Sequence, residues 1–170
     1  ALSGSATASG TFNFTVTAAD SFGQSGSQAY SVVVAVPILT VTPATLPNGT
    51  AGVAYTQALT VSGGIAPYTA TLTGTLPTGI SFNIATLTFS GTPTQSGTFN
   101  VSVTITDNTG GAAATVTNNY TLTIAVPTLT MTPAAGALPG GTGGVAYSQA
   151  STATGGIAPY SYAVASGTLP

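Results

Sequence analysis

Apolar and polar residues alternate with a period of two in stretch after stretch of this 170-residue chain. Beyond Gly97, Phe99, Val101, Val103 and Ile105 alternate with Asn100, Ser102, Thr104 and Thr106. Successive side chains of a strand point to opposite faces, so the pattern predicts a strand with one face in a core. Tyr120, Leu122, Ile124 and Val126 give the next inward stripe. Earlier, Val53, Tyr55, Leu59 and Val61 predict one strand, and Tyr68, Ala70 and Leu72 predict another after the Gly63-Gly64 turn. Ile80, Phe82, Leu87 and Phe89 predict a short pair. With an opening strand near Ile38 to Thr42, these make about seven strands, a number that fits one antiparallel β-sandwich. No segment carries a 3.6-residue period, so the fold class is all-β.

The strands recur. Ser9-Gly-Thr-Phe-Asn-Phe-Thr-Val-Thr17 returns as Ser96-Gly-Thr-Phe-Asn-Val-Ser-Val-Thr104, an offset of 87. Ala35-Val-Pro37 and Leu39-Thr40 return as Ala125-Val-Pro127 and Leu129-Thr130, an offset of 90. Gly64-Ile-Ala-Pro-Tyr68 returns as Gly156-Ile-Ala-Pro-Tyr160, an offset of 92. The drift marks small insertions, which belong in loops. A period near 90 residues is too long for common solenoid repeats and suits one sandwich per repeat. The expected organisation is therefore the C-terminal strands of one unit in 1–37, a complete unit in 38–126 and the N-terminal strands of a third in 127–170. The joins at Pro37 and Pro127 contain no Gly/Ser linker. Proline fixes φ and stiffens such a junction, so units in series should form a fairly rigid string.

The complete unit reads Leu46-Pro, Gly52-Val-Ala-Tyr55, Ser62-Gly-Gly, Ala66-Pro-Tyr68, Gly74-Thr-Leu-Pro77, Gly91-Thr-Pro93, Gly97-Thr-Phe99 and Val103-Thr-Ile-Thr-Asp107. This ordered set resembles the bacterial He_PIG repeat family of immunoglobulin-like domains, which is related to cadherin-like sandwiches. The resemblance covers the whole chain as one full and two partial copies. It implies tandem Ig-like/cadherin-like sandwiches in a large secreted or surface protein, serving as stalk, spacer or adhesion module. It does not imply an enzyme.

Composition narrows the chemistry. The chain has 22 Gly and 11 Pro, and Asp20 and Asp107 are its only charged side chains. Soluble domains are ordinarily about 25% charged. Without a cation there is no electrostatic footprint for nucleic acid or an anionic membrane surface. The longest apolar run, Val32 to Leu39, is too short to span a bilayer. With no Cys there are no disulfides, and with no Lys there are no Lys–Asn isopeptide staples. The chain starts at Ala1 without a signal-type segment, so it is expected to be a mature product or a fragment.

No catalytic residue and no cofactor is assigned. Serine and threonine hydroxyls abound, but there is no His or Lys to activate them. The two acids lie one repeat apart, whereas glycoside hydrolysis usually needs two carboxyls within about 10 Å. Gly140-Gly141-Thr-Gly143-Gly144 lacks the lysine and the helix of a phosphate loop. Asp20 and Asp107 occupy the same repeat position, at the turn between the last two strands of a unit. An acid there is expected to accept backbone N–H bonds. The pair are also the only carboxylate candidates for a weak calcium site, which would need six to eight oxygens. Tyr55, Tyr68, Tyr120, Tyr147 and Tyr160 are expected to point into cores with their hydroxyls at the rim. Asn13, Asn48, Asn100 and Asn119 open Asn-X-Ser/Thr sequons, candidate glycosylation sites, with Asn13 and Asn100 on the outward face.

Residues 1–37 and 127–170 each carry an apolar stripe that neither can bury alone. Either the chain is a window of a longer array, or the end of one copy completes the start of the next in a strand-exchanged filament. Charges normally guard exposed strand edges, and near-zero net charge promotes association. The expected partners are therefore neighbouring repeats or further copies, head to tail or lateral. The sequence points to an extracellular, non-enzymatic structural segment. The alternative is an adhesion module that binds glycans or a partner cell.

Overall fold

The computed structural model describes residues 1–169; Pro170, the last residue of the third predicted unit, lies outside the described residues. The protein is all-β. A hairpin comes first, β1 (Gly10–Ala19) and β2 (Ser25–Val34), paired antiparallel. Nine strands follow: β3 (Thr40–Thr42), β4 (Gly49–Thr50), β5 (Tyr55–Ala58), β6 (Thr60–Ser62), β7 (Thr69–Gly74), β8 (Ile80–Asn83), β9 (Thr88–Gly91), β10 (Gly97–Thr106) and β11 (Thr115–Ala125). The chain ends with β12 (Leu129–Thr132) and β13 (Thr152–Gly155).

The strands β3 to β11 build a sandwich. One sheet has the order β4-β11-β10-β7, the other β5-β9-β8, and β3-β6 forms a separate pair. The alternating sequence of β10 and β11 buries Val101, Val103, Ile105, Tyr120, Leu122 and Ile124. Phe89 of β9 is fully buried between Phe82, at 4.5 Å, and Tyr120, at 6.3 Å, and so couples the two sheets. On the opposite face, Thr, Ser and Asn pair across the strands. Thr104 and Thr117 hydroxyls lie 2.9 Å apart, and Thr121 donates to Asn100 Oδ1 at 2.9 Å.

The strand number differs from the expected seven for a local reason. The stripe from Tyr55 to Val61 is continuous in sequence, but β5 pairs with β9 and β6 pairs with β3. The switch falls at buried Leu59, whose N–H donates to Leu87 C=O at 2.8 Å. The other addition is the two-residue β4, which pairs parallel with β11. Val53, expected inward, is exposed because it sits in the turn where its N–H bonds Thr50 C=O. Val126, also expected inward, lies past the end of β11 and is exposed. The opening strand starts at Thr40, and Ile38 is exposed.

The flanking segments repeat this architecture in part. Phe12 pairs with Val32 and Phe14 with Tyr30 in β1–β2. Their counterparts Phe99 and Leu122, and Val101 and Tyr120, pair identically in β10–β11. The pair β12–β13 likewise repeats β3–β6.

Candidate functional site

Asp107 stands at the end of β10, where the chain turns towards β11. It is the buried charge of the sandwich, 5% exposed. Its Oδ1 accepts the Ala114 N–H at 2.7 Å, across the mouth of the turn. Its Oδ2 accepts the Ile65 N–H at 3.0 Å and the Thr109 hydroxyl. The Asn108 N–H returns a bond to Ile65 C=O at 2.8 Å. The carboxylate thus ties the β10–β11 turn to the loop before β7, distant in sequence. Gly64 makes this approach possible. Its φ of +67° favours glycine, and a Cβ there would stand 2.7 Å from the Asp107 carboxylate.

Burial works to raise the Asp107 pKa, but bonds from the Thr109 hydroxyl and the Ile65, Ala114 and Thr109 N–H groups outweigh it. The net effect holds the carboxyl below its ordinary value. Burial also pushes the Tyr55 and Tyr120 phenols up, the latter opposed in part by the Asn118 amide.

Asp20 is exposed in the equivalent turn. Its Oδ1 accepts the N–H groups of Phe22, at 2.9 Å, and Gln24, at 2.8 Å. Both acids therefore cap turns, as their positions predict. They lie in separate hairpins and share no hydrogen-bond partner. As a calcium ligand Asp107 is a poor fit. The groups converging on it are N–H and O–H donors, whereas a cation needs converging oxygens. Among the described residues no cluster of three or more His, Cys, Asp or Glu side chains occurs.

Three of the five tyrosines behave as expected. Tyr55 donates to Pro47 C=O at 3.1 Å, Tyr68 to Gly63 C=O at 2.6 Å and Tyr120 to Pro43 C=O at 3.1 Å. Tyr55 and Tyr120 are buried and Tyr68 is half-buried. Tyr147 and Tyr160 depart from the expectation. They are 49% and 37% exposed, because among the described residues no second sheet covers β12–β13. All four sequon asparagines are exposed: Asn13 on β1, Asn48 before β4, Asn100 on β10 and Asn119 on β11.

A junction contact escaped the sequence reading. Ser9, 5% exposed, wedges the segment before β1 against the β10–β11 turn. Its hydroxyl donates to Ala112 C=O at 2.8 Å and accepts the Ala112 N–H at 3.2 Å. Backbone bonds join Ser9 N–H to Gly110 C=O and Gly110 N–H to Thr7 C=O. The turn that receives Ser9 runs from Asp107 to Ala114, longer than its counterpart from Asp20 to Gln24. The shift of offset from 87 to 90 across it was the available signal.

The family model described as Putative Ig domain matches residues 1–35 and 37–125. The chain belongs to this He_PIG family. Domains of the family are typically extracellular structural or adhesion-type modules. Two solved structures from Bacteroides fragilis NCTC 9343 are similar in part, each with a TM-score of 0.41. One, described as a putative alpha-galactosidase/melibiase, is 19% identical over 52% of this chain and 17% of its own. The other, described as a putative alpha-galactosidase, is 20% identical over 55% of this chain and 19% of its own. The He_PIG chain thus spans less than a fifth of either enzyme. Among curated proteins none matches it. No helix among its described residues is long and apolar enough to cross a membrane.

Proposed function

We propose that this He_PIG chain is a non-enzymatic spacer of an extracellular bacterial protein, a stiff stalk or fibre building block of sandwiches in series. The observation that carries this is how its parts are joined. Only Val126, Pro127 and Thr128 separate β11 from β12. At the other join, Ser9 is held to Gly110 and Ala112 by backbone and hydroxyl bonds. The Ser9 join resists bending because a hinge motion there must break hydrogen bonds, and at Pro37 and Pro127 proline fixes φ. The outward faces of β10 and β11 carry rows of Thr, Ser and Asn, with no cation to meet a phosphate backbone.

Small-angle X-ray scattering of the 170-residue chain tests this. A fixed, elongated particle is expected, and a compact or freely jointed one would refute the spacer. Binding on a glycan array would favour an adhesion module instead, and turnover of a substrate would end the non-enzymatic assignment.

A further inference from the structure

We infer that Asp107 is a positioning residue of the joint between units. Its carboxylate, acting through Thr109, sets the β10–β11 turn in the shape that receives Thr7 to Ser9. Asp20, at the equivalent repeat position, has no such role. The inference deepens the spacer reading above, because it names the group that holds the joint.

The turn is fitted to the segment it receives. Ala8 bridges Gly110 in parallel register. The Ser9 N–H donates to Gly110 C=O at 2.9 Å, and the Gly110 N–H donates to Thr7 C=O at 3.0 Å. At Gly111 φ is +79°, and a Cβ would stand 2.3 Å from the Ser9 carbonyl oxygen. The incoming backbone thus fills space that a side chain would need. In the β1–β2 turn a Cβ on Gly23 would meet nothing within 4 Å. Gly110-Gly111-Ala112-Ala113 has no long side chain with which to fix its own shape, and glycine carries a large entropic cost of ordering. Something beneath it must hold it.

Asp107 does so at two points. Its Oδ1 accepts the Ala114 N–H at 2.7 Å, and its own N–H donates to Ala114 C=O at 3.0 Å, which closes the base of the turn. Its Oδ2 accepts the Ile65 N–H and the Thr109 hydroxyl, and Thr109 is 8% exposed. The next residue, Gly110, carries the two backbone groups that meet Thr7 and Ser9. The path from carboxylate to joint is a hydroxyl and then a peptide bond.

The chemistry also says why the residue is an acid. Both oxygens of Asp107 are engaged, and each of them faces donors. An asparagine amide has one acceptor oxygen and one donor nitrogen. In either orientation at 107 it would turn its NH₂ towards at least one of those donors, so a carboxylate is required there. Asp20 differs. The Phe22 and Gln24 N–H groups both bond its Oδ1. An asparagine at 20 would keep both bonds through its carbonyl oxygen. The two acids share a repeat position, yet only the one beneath the joint needs its charge.

Hydrogen exchange at single amides of the 170-residue chain, read by nuclear magnetic resonance, tests the inference. Thr109→Val removes the hydroxyl arm and leaves the Ile65 and Ala114 bonds in place. The Ser9 and Gly110 amides should then exchange at least about tenfold faster, while Val103, in the central strand β10, keeps its protection. Asp107→Asn should accelerate Ser9 and Gly110 more than Val103, and Asp20→Asn should change none of them. Unaltered Ser9 exchange in Thr109→Val would overturn the inference. So would an Asp107→Asn effect no larger at Ser9 than at Val103, or a faster Ser9 in Asp20→Asn. Small-angle scattering of Thr109→Val separates this role from the spacer reading. If the Ser9 amide opens and the particle still scatters as stiff, the positioning role stands and the spacer loses the contact that carries it.

Discussion

Val103 and Val16 are the same residue at the same repeat position, in hairpins of identical register, yet one is 1% and the other 50% exposed. Replacing each by Ala isolates burial from sequence. Val103→Ala removes two methyl groups from full burial, worth about 0.8 kcal/mol each, and leaves a cavity. The expected total is about 2–3 kcal/mol. Val16→Ala removes atoms already half in water. Its effect on the unfolding of the sandwich should lie within about 0.5 kcal/mol, as for other surface changes. Urea titration followed by far-ultraviolet circular dichroism measures both. At a slope of about 1–3 kcal/mol per molar urea, the Val103→Ala midpoint should fall by roughly 1 M. Equal costs at the two positions, or a Val103→Ala cost below about 1 kcal/mol, would refute the assignment of a single covered hairpin.

Gly64→Ala should destabilise the sandwich by at least about 1 kcal/mol, since φ is positive and the new Cβ would meet Leu39 and Asp107, at 2.5 and 2.7 Å. Gly23→Ala, also at positive φ but with open space around it, should cost less in thermal melts. Ser9→Ala should leave the sandwich melting unchanged while hydrogen exchange at the Ser9 and Gly110 amides accelerates, because only the junction bonds weaken. Stability should be flat from about pH 5 to pH 9. The folded Asp107 pKa is lowered, so its contribution is complete above the unfolded value and is lost as pH falls through the folded one. The Tyr55 and Tyr120 pKa values are raised, so theirs is present below the unfolded value near 10 and lost as pH rises through the folded ones. Denaturant midpoints across pH check this, and a maximum inside the plateau would contradict it.

The sandwich was legible because β10 and β11 are half-buried strands, in which period two maps directly onto burial. The Tyr55–Val61 stripe was harder. Its periodicity does not record that the strand changes sheets at Leu59, since that depends on which edges are free. The turn-capping role of Asp20 and Asp107 follows from residue type and position. The burial of Asp107 does not, because it arises from Gly64 and Ile65 arriving from 42 residues away. Tyr147 and Tyr160 obey the inward pattern of their counterparts, but a pattern shows which face is apolar and not what covers it. The Ser9 wedge was hidden for another reason. It joins a small polar residue to a turn of Gly and Ala, and such residues carry no periodic signal.

That wedge separates two properties usually coupled in proteins. The residues that receive Ser9, Gly110 to Ala112, lie outside the apolar core of the sandwich. A backbone turn a few residues longer or shorter would alter the joint and leave every core side chain where it is. In the proposed spacer, flexural rigidity would therefore be a local variable, set joint by joint, while the folding energy of each segment stays constant.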